Sequence, residues 1–445
     1  MEKPYIDNID STNTTPSRWR KFKTQCKENW FYITLISVAL TGVFCAFTLP
    51  PLIPKSTDGG DSVDSIRKAI LAVFAGALTM LTLWETHRKN TQEKDKNDRD
   101  HIRQVHAERR SRYAKAIEHI ADDKAVVRLG GIYTLVSLVD EWLTDESIKD
   151  IDDRRKEGQV IVNNLCAYIR SPFHLAEKRD ILELDSRPAK YKGDFAADQA
   201  EFFEECNVRK SIFEEINKRI TVKIDENNIN EREAVGSWSK FIFNFDAAPI
   251  FYFLQYLTYV NSSFHAAKFY GRTFFSNSHF FGGTDFTDAV FYGPADFNDT
   301  FFVGDTFFRW AKFNGPTSFQ AIFKKKADFE NAEFLKSAKF VSSQFNDATY
   351  FKNVHFSQKP IFAEYIHSHN NHPKDCHYVH ASFSYKIDST KHNFMASPQS
   401  LFSIPRSNIS FKNNNYEIPK GTVIFNPDSW DKDIMNYREI SPIAP

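Results

Sequence analysis

The sequence predicts a multidomain α + β chain: a two-helix transmembrane hairpin, a helical module and a parallel β-solenoid. Three observations carry this. Phenylalanine returns at nineteen positions from Phe264 to Phe362 in alternating steps of five and six residues, and a fixed period marks a stacked array. Two apolar runs stand near the start, Trp30 to Leu49 and Ala69 to Trp84. Between the apolar runs and the array, apolar residues recur with helical periodicity, as at Ile102, Val105, Tyr113, Ile117 and Ile120.

In chain order, residues 1–29 read as a basic cytoplasmic tail, with Arg18, Arg20, Lys21, Lys23 and Lys27 near its end. Residues 30–86 read as the transmembrane hairpin, with helices at 30–50 and 67–85. The first run carries no charge from Trp30 to Pro54 and has the roughly 20 residues that a bilayer requires. A cleaved signal peptide is the rival reading, but no small-x-small cleavage site stands out. Gly42 with Ala46, and Ala72 with Gly76, have the spacing that lets two helices approach closely; chance spacing is the competing explanation. Basic residues flank the pair on both outer sides (Arg88, Lys89, Lys94, Lys96 and Arg99 after it), while Asp58, Asp61 and Asp64 lie between the runs. The positive-inside rule then places both termini in the cytoplasm. Five scattered cysteines without a CxxC pair agree with a reducing compartment.

A charged linker is expected at 87–100 and a helical module at 101–240. Its helices are read near 102–120, at Lys124–Trp142 with Asp122 or Asp123 as cap, near Lys156–Arg170 and at Gln199–Ile220. Gly130 and Gly131 inside the second helix each cost roughly 1 kcal/mol relative to Ala, so a tightly packed neighbour is expected against them.

The array occupies 241–365, with a weaker lead-in from Phe241 to Val260. Two positions before each ladder Phe stands a small residue, such as Ser262, Ala267, Thr273 or Ser278, with Val354 and Pro360 as the exceptions. Residues two apart on an extended chain share a face, so a ring and a small group fill one narrow interior together. Steps of five and six scatter over a helix of 3.6 residues per turn, which excludes a helix. The only irregular step is the four residues from Phe319 to Phe323. Phe274, Phe281, Phe301 and Phe307, next to ladder positions, are expected to form an outer apolar stripe for a partner.

The frame Ala295-Asp296-Phe297, repeated as Ala327-Asp328-Phe329, resembles the Phe-centred pentapeptide repeat. The resemblance implies a right-handed, four-sided parallel β-helix with two eleven-residue units per coil and four to five coils. Ala116-Ile117-Glu118-His119, Arg128-Leu129-Gly130-Gly131-Ile132-Tyr133 and Leu165-Cys166-Ala167-Tyr168-Ile169-Arg170 resemble the helical module of bacterial membrane-anchored pentapeptide-repeat proteins. Together the likeness covers roughly residues 108–362 and implies the bacterial inner membrane. Arg128, Gly130, Gly131 and Tyr133 match best; helix packing with an internal hydrogen bond from Arg128, or a partner site, are the two readings.

Residues 366–445 read as a cap and tail. Five histidines and Cys376 crowd 367–380, zinc-ligand chemistry without a recognised metal spacing, so a polar loop and a metal site both stand. There is no nucleophile elbow, phosphate loop, zincin helix or dinucleotide fingerprint, and no catalytic, cofactor-binding or metal residue is assigned. Some pentapeptide-repeat proteins mimic DNA toward type II topoisomerases, which needs an anionic rod. From Phe264 to Phe362 eleven Lys and Arg face nine Asp and Glu, the wrong sign. The expectation is a non-catalytic, membrane-tethered scaffold that binds the bilayer and a protein partner, with a homodimer open and nucleic acid disfavoured. A topoisomerase-binding mimic and a His/Cys metal-binding protein are the alternatives.

Overall fold

The computed structural model describes residues 30–49, 62–225, 231–367 and 376–445. The basic tail 1–29, the loop with Asp58 and Asp61, and the centre of the histidine cluster with His369 and His372 lie outside the described residues. The chain divides into two compact units, Met1–Ala107 and Glu108–Pro445.

In the first unit, α1 (Trp30–Thr48) packs on the start of α2 (Ser62–Ile120). Gly42 and Ala46 are the buried residues of α1, and a Cβ on Gly42 would come within 2.7 Å of the Phe74 ring. That ring on α2 fills the notch. Ala72 and Gly76 are exposed instead, so only one of the two small pairs lies in the contact. Arg67 stands 5.4 Å from the Phe47 ring and Lys89 5.7 Å from the Tyr32 ring, fixing the two helices antiparallel. Leu40, Phe44, Phe47 and Met80 stay more than 60% exposed. Where a linker was expected at 87–100, α2 continues unbroken. The segment holds neither Gly nor Pro, and its interleaved Lys, Glu, Asp and Arg support a helix at three- and four-residue spacing.

In the second unit, α3 (Ala125–Leu143), α4 (Ile151–Arg170), the single turn α5 (Arg179–Leu182) and α6 (Phe195–Lys218) form the helical module. Two starts differ from the sequence reading because of caps. Asp150 accepts from the Asp152 amide and opens α4 early. Asp194 accepts from the Ala196 and Ala197 amides and opens α6 early, satisfying amides left free at a helix start. The N-cap of α3 is Lys124 rather than either expected aspartate.

The β-solenoid makes about five turns. Four parallel sheets run along it, of six, six, four and seven strands, each strand only two or three residues long through the coils. Thr284 pairs with Thr306, and Phe291 with Phe313, so one coil takes two eleven-residue units. Across the short step Thr306 pairs with Ala327, one residue less. The lead-in forms a first, incomplete coil, with Phe243–Asn244, Pro249–Ile250 and Thr258–Val260 pairing into three of the four sheets.

Stacked rings fill the interior. In one column Phe264, Phe286, Phe308, Phe329 and Phe351 follow at 5.1, 4.9, 5.0 and 4.8 Å with planes within 6°. Three further columns run through Phe269, Phe275 and Phe280, the last of them begun by Tyr259, and rings of neighbouring columns meet edge to face, the geometry aromatic quadrupoles favour. The coil spacing of about 4.8 Å sets the stacking distance.

Turn chemistry explains the two step lengths. Each five-residue step contains one left-handed residue two places after its first Phe: Ala266, Asn277, Asp288, Asp299, Trp310, Asn331, Ser342 and Asn353, with φ between 54° and 60°. The four-residue step from Phe319 lacks it, and Ala321 enters the strand directly. Corners of several six-residue steps use glycine because they stack so closely: a Cβ on Gly293 or Gly315 would overlap the backbone of Gly271 or Gly293.

Both ends of the rod are covered, as exposed edges demand. At the first coil, Phe213 of α6 lies 4.8 Å from Phe245, Phe173 stacks on Phe251 at 5.0 Å, and Gly158 of α4 leaves room for Phe241. At the other end the ladder continues past residue 365, where the array was expected to give way to a cap and tail. The antiparallel hairpin of Ala363–His367 with Cys376–His380 is an excursion, after which Phe383 stacks on Phe345 at 5.0 Å. Val423–Phe425 adds a further strand below it. Asn393 pairs with Tyr350, which puts Phe394 under Phe351 and His392 under Thr349, in the small-residue position.

Candidate interaction surfaces

Glu205 on α6 is the node of the helical module and is 7% exposed. Arg209 Nε donates to its Oε1 at 2.6 Å, while Arg128 Nη2 and Tyr168 Oη donate to its Oε2 at 3.2 and 3.0 Å. Arg209 also donates to the Ile169 and Ser171 carbonyls, and Arg128 to those of Asp122 and Asp123. Three helices are thereby tied to one carboxylate, and burial raises the Tyr168 phenol. Gly131 lies against the last turn of α2, where a Cβ would meet Ile120 Cγ2 at 2.8 Å and the Ala116 carbonyl at 2.9 Å. Gly130 meets nothing within 4 Å. Of the four best-matching positions, Arg128 and Gly131 therefore serve packing, while Gly130 and Tyr133, the latter 49% exposed, face outward beside Val126 at 81%.

The expected apolar stripe on the rod is not a bare one. Phe281 is buried at 7%. Arg272 stands 5.5 Å from the Phe274 ring, Arg232 3.4 Å from Phe301, and Arg309 5.2 Å from Phe307. Each outer ring is thus covered by a cation of the same chain, a favourable pairing. Some rod charges pair between coils: Lys312 with Glu333 at 2.9 Å, Lys352 with Glu330 at 2.9 Å, and Arg309 with Asp328 at 2.6 Å. The lysine run divides among separate tasks. Lys324 reaches Glu231 at 2.7 Å and Lys326 reaches Asp328 at 3.0 Å, while Lys325 is exposed.

Of the histidine cluster, the described part sits on the hairpin, where His367 pairs in register with Cys376, Ile366 with His377 and Ala363 with His380. Among the described residues no group of three or more His, Cys, Asp or Glu has metal-site geometry. Burial pushes the Cys166 and Cys206 thiols up to about 12, so neither offers a thiolate nucleophile at neutral pH. No family model, curated protein or solved structure matches the chain.

Proposed function

We propose that this protein is a non-catalytic, membrane-tethered scaffold that displays a helical module and a β-solenoid to a protein partner in the bacterial cytoplasm. The observation that carries this reading is the outward face of α1 and of the start of α2. At about 1.5 Å per residue, the 19 residues of α1 reach roughly the thickness of a hydrocarbon core. Their large apolar side chains are uncovered by the rest of their own unit, where a bilayer would cover them. Two helices long and apolar enough to cross a bilayer, one near the start of the sequence, support a hairpin, and the basic residues Arg88, Lys89, Lys94, Lys96 and Arg99 after it favour both termini on the cytoplasmic side.

The display part of the reading is supported by the rod itself. Its interior is filled by rings and small side chains, so that whatever it binds is met on its outer surface. The 22-residue coil, the four parallel sheets and the phenylalanine columns fit a right-handed, four-sided pentapeptide-repeat β-helix. Tethering would raise the local concentration of whatever the rod holds. Imitation of DNA is disfavoured because Lys and Arg, at eleven, outnumber Asp and Glu, at nine, from Phe264 to Phe362, where a mimic needs an anionic rod.

Alkaline carbonate extraction of membranes from cells making the full chain tests the tether. Retention in the pellet is expected, and release into the supernatant would end the membrane reading. Capture from the same membranes, against a chain lacking 264–362, tests the display. A partner lost with the rod supports it, whereas recovery of topoisomerase or nucleic acid would replace it with the alternative.

A further inference from the structure

Trp310 stands where the turn chemistry calls for something else. It occupies the left-handed position of its five-residue step with φ 58°, where Asn277, Asp288, Asp299, Asn331 and Asn353, and the small Ala266 and Ser342, stand in the other coils from Phe264 on; Tyr256 in the lead-in is the one other aromatic in this turn. Short polar side chains tolerate that backbone, and a bulky one does so only with strain. The indole is also 60% exposed. Phe274, Phe301 and Phe307 each lie under a cation, whereas among the described residues no ring or cation covers Trp310. A side chain that strains its turn and leaves most of its surface in water is a candidate for a role beyond the fold, since such outliers gather at functional sites.

Beside the ring runs a groove of about 580 Å³, lined by Trp310, Asn331, Glu333, Asn353, His355 and Gln399, with Leu335 and Pro398 as its other apolar members. The solenoid builds it by register. Trp310, Asn331 and Asn353 take the same turn position in three successive coils, and Glu333 pairs with His355 in the adjoining sheet. Amides both donate and accept hydrogen bonds, and His355, whose Nε2 meets Ser357 Oγ at 3.3 Å, adds its Nδ1. The only carboxylate in this set, on Glu333, is held by Lys312 at 2.9 Å, and no cation lines the groove. A phosphorylated ligand would therefore meet an acid and no counter-charge, and an apolar peptide would leave the amides unpaired.

We propose that this groove binds a neutral glycan, with one pyranose face stacked on the Trp310 indole and the ring hydroxyls bonded to Asn331, Asn353 and His355. A sugar ring has an apolar C–H face and a rim of groups that donate and accept, which matches an uncovered aromatic face beside amides. From Trp310 to Asn353 is two coils, about 10 Å at the usual strand spacing, a length for roughly two linked rings.

The test uses the full chain in lipid nanodiscs, which keeps sugar-headed detergents out. It is screened on an array of neutral oligosaccharides, and the best binders are titrated by calorimetry and tryptophan fluorescence. Saturable binding is expected in the wild type, with loss of at least tenfold in affinity in Trp310→Asn and in the double variant Asn331→Ala/Asn353→Ala. Trp310→Asn suits the left-handed turn, so its thermal midpoint should equal or exceed that of the wild type. Three results would overturn the proposal: no neutral glycan on the array binds, Trp310→Asn binds as well as the wild type, or its midpoint falls. The last would mean that the ring serves the fold. Adenosine and inorganic phosphate are the comparison probes, and binding of either in place of the glycan also counts against it.

Discussion

Glu205 shows how much of this molecule rests on single buried groups. Its carboxylate answers Arg209, which is 1% exposed, and Arg128. Removing one side of a buried ion pair strands the other, so Glu205→Ala should cost about 3 kcal/mol, read as a lower midpoint in thermal or urea unfolding. His392 gives a pH signature. It lies under Thr349 at the end of the rod, its two ring nitrogens without hydrogen-bond partners among the described residues. Burial pushes its imidazole down to about 4 from an ordinary 6.5, against a weaker upward pull from Asp347. The folded chain therefore holds it neutral while the unfolded chain takes up a proton below about 6.5. Stability from this group is complete above that pH, declines as pH falls toward 4, and levels off below; the full span is about 3 kcal/mol. His279, also pushed down to about 4 by burial and by Arg232, adds in the same direction. Unfolding midpoints measured from pH 7.5 to 4 should fall, and His392→Thr, which restores a small residue, should flatten that fall without removing the part due to His279.

The two adjacent glycines of α3 separate at the level of the element. Gly130 meets open space, so Gly130→Ala should stabilise by about 0.8 kcal/mol, the helix-propensity difference. Gly131 faces Ile120 and the Ala116 carbonyl within 3 Å, so Gly131→Ala should lower the midpoint despite the same propensity gain. Comparing the two variants by denaturant unfolding checks both signs. Sequence reasoning expected a tight neighbour at both positions because propensity treats them alike, and only the packing of α2 tells them apart. Helix boundaries shifted for a similar reason: Asp150 and Asp194 act as caps through hydrogen bonds to specific amides, a matter of local geometry. The helical phrase around Arg128 was legible as packing, but its partner Glu205, 77 residues away, was not.

Over the whole molecule, stability depends on both rod ends being closed. Ending the chain after Phe362 would strip Phe383, Phe394 and the Val423–Phe425 strand from the last coil and bare unpaired strand groups. Such a truncation should aggregate, seen as rising light scattering at concentrations where the full chain stays dispersed; a monodisperse truncation would show that the last coil does not need its cover. The sequence by itself determined the apolar helices, the eleven-residue unit and the identity of the interior, because a period of ring and small residue is a local pattern that stacking merely repeats; that two units close one coil was implied by the resemblance and is seen in the strand pairing. It also held an unread signal in Ala381 and Phe383, which keep the small-residue rule beyond the hairpin. Tertiary structure alone decided where the ladder resumes after that excursion, which cation covers each outer ring, and that Trp310 is left uncovered beside a groove. Those outcomes depend on residues from separate coils and loops meeting in space, and no spacing along the chain encodes which of them will meet.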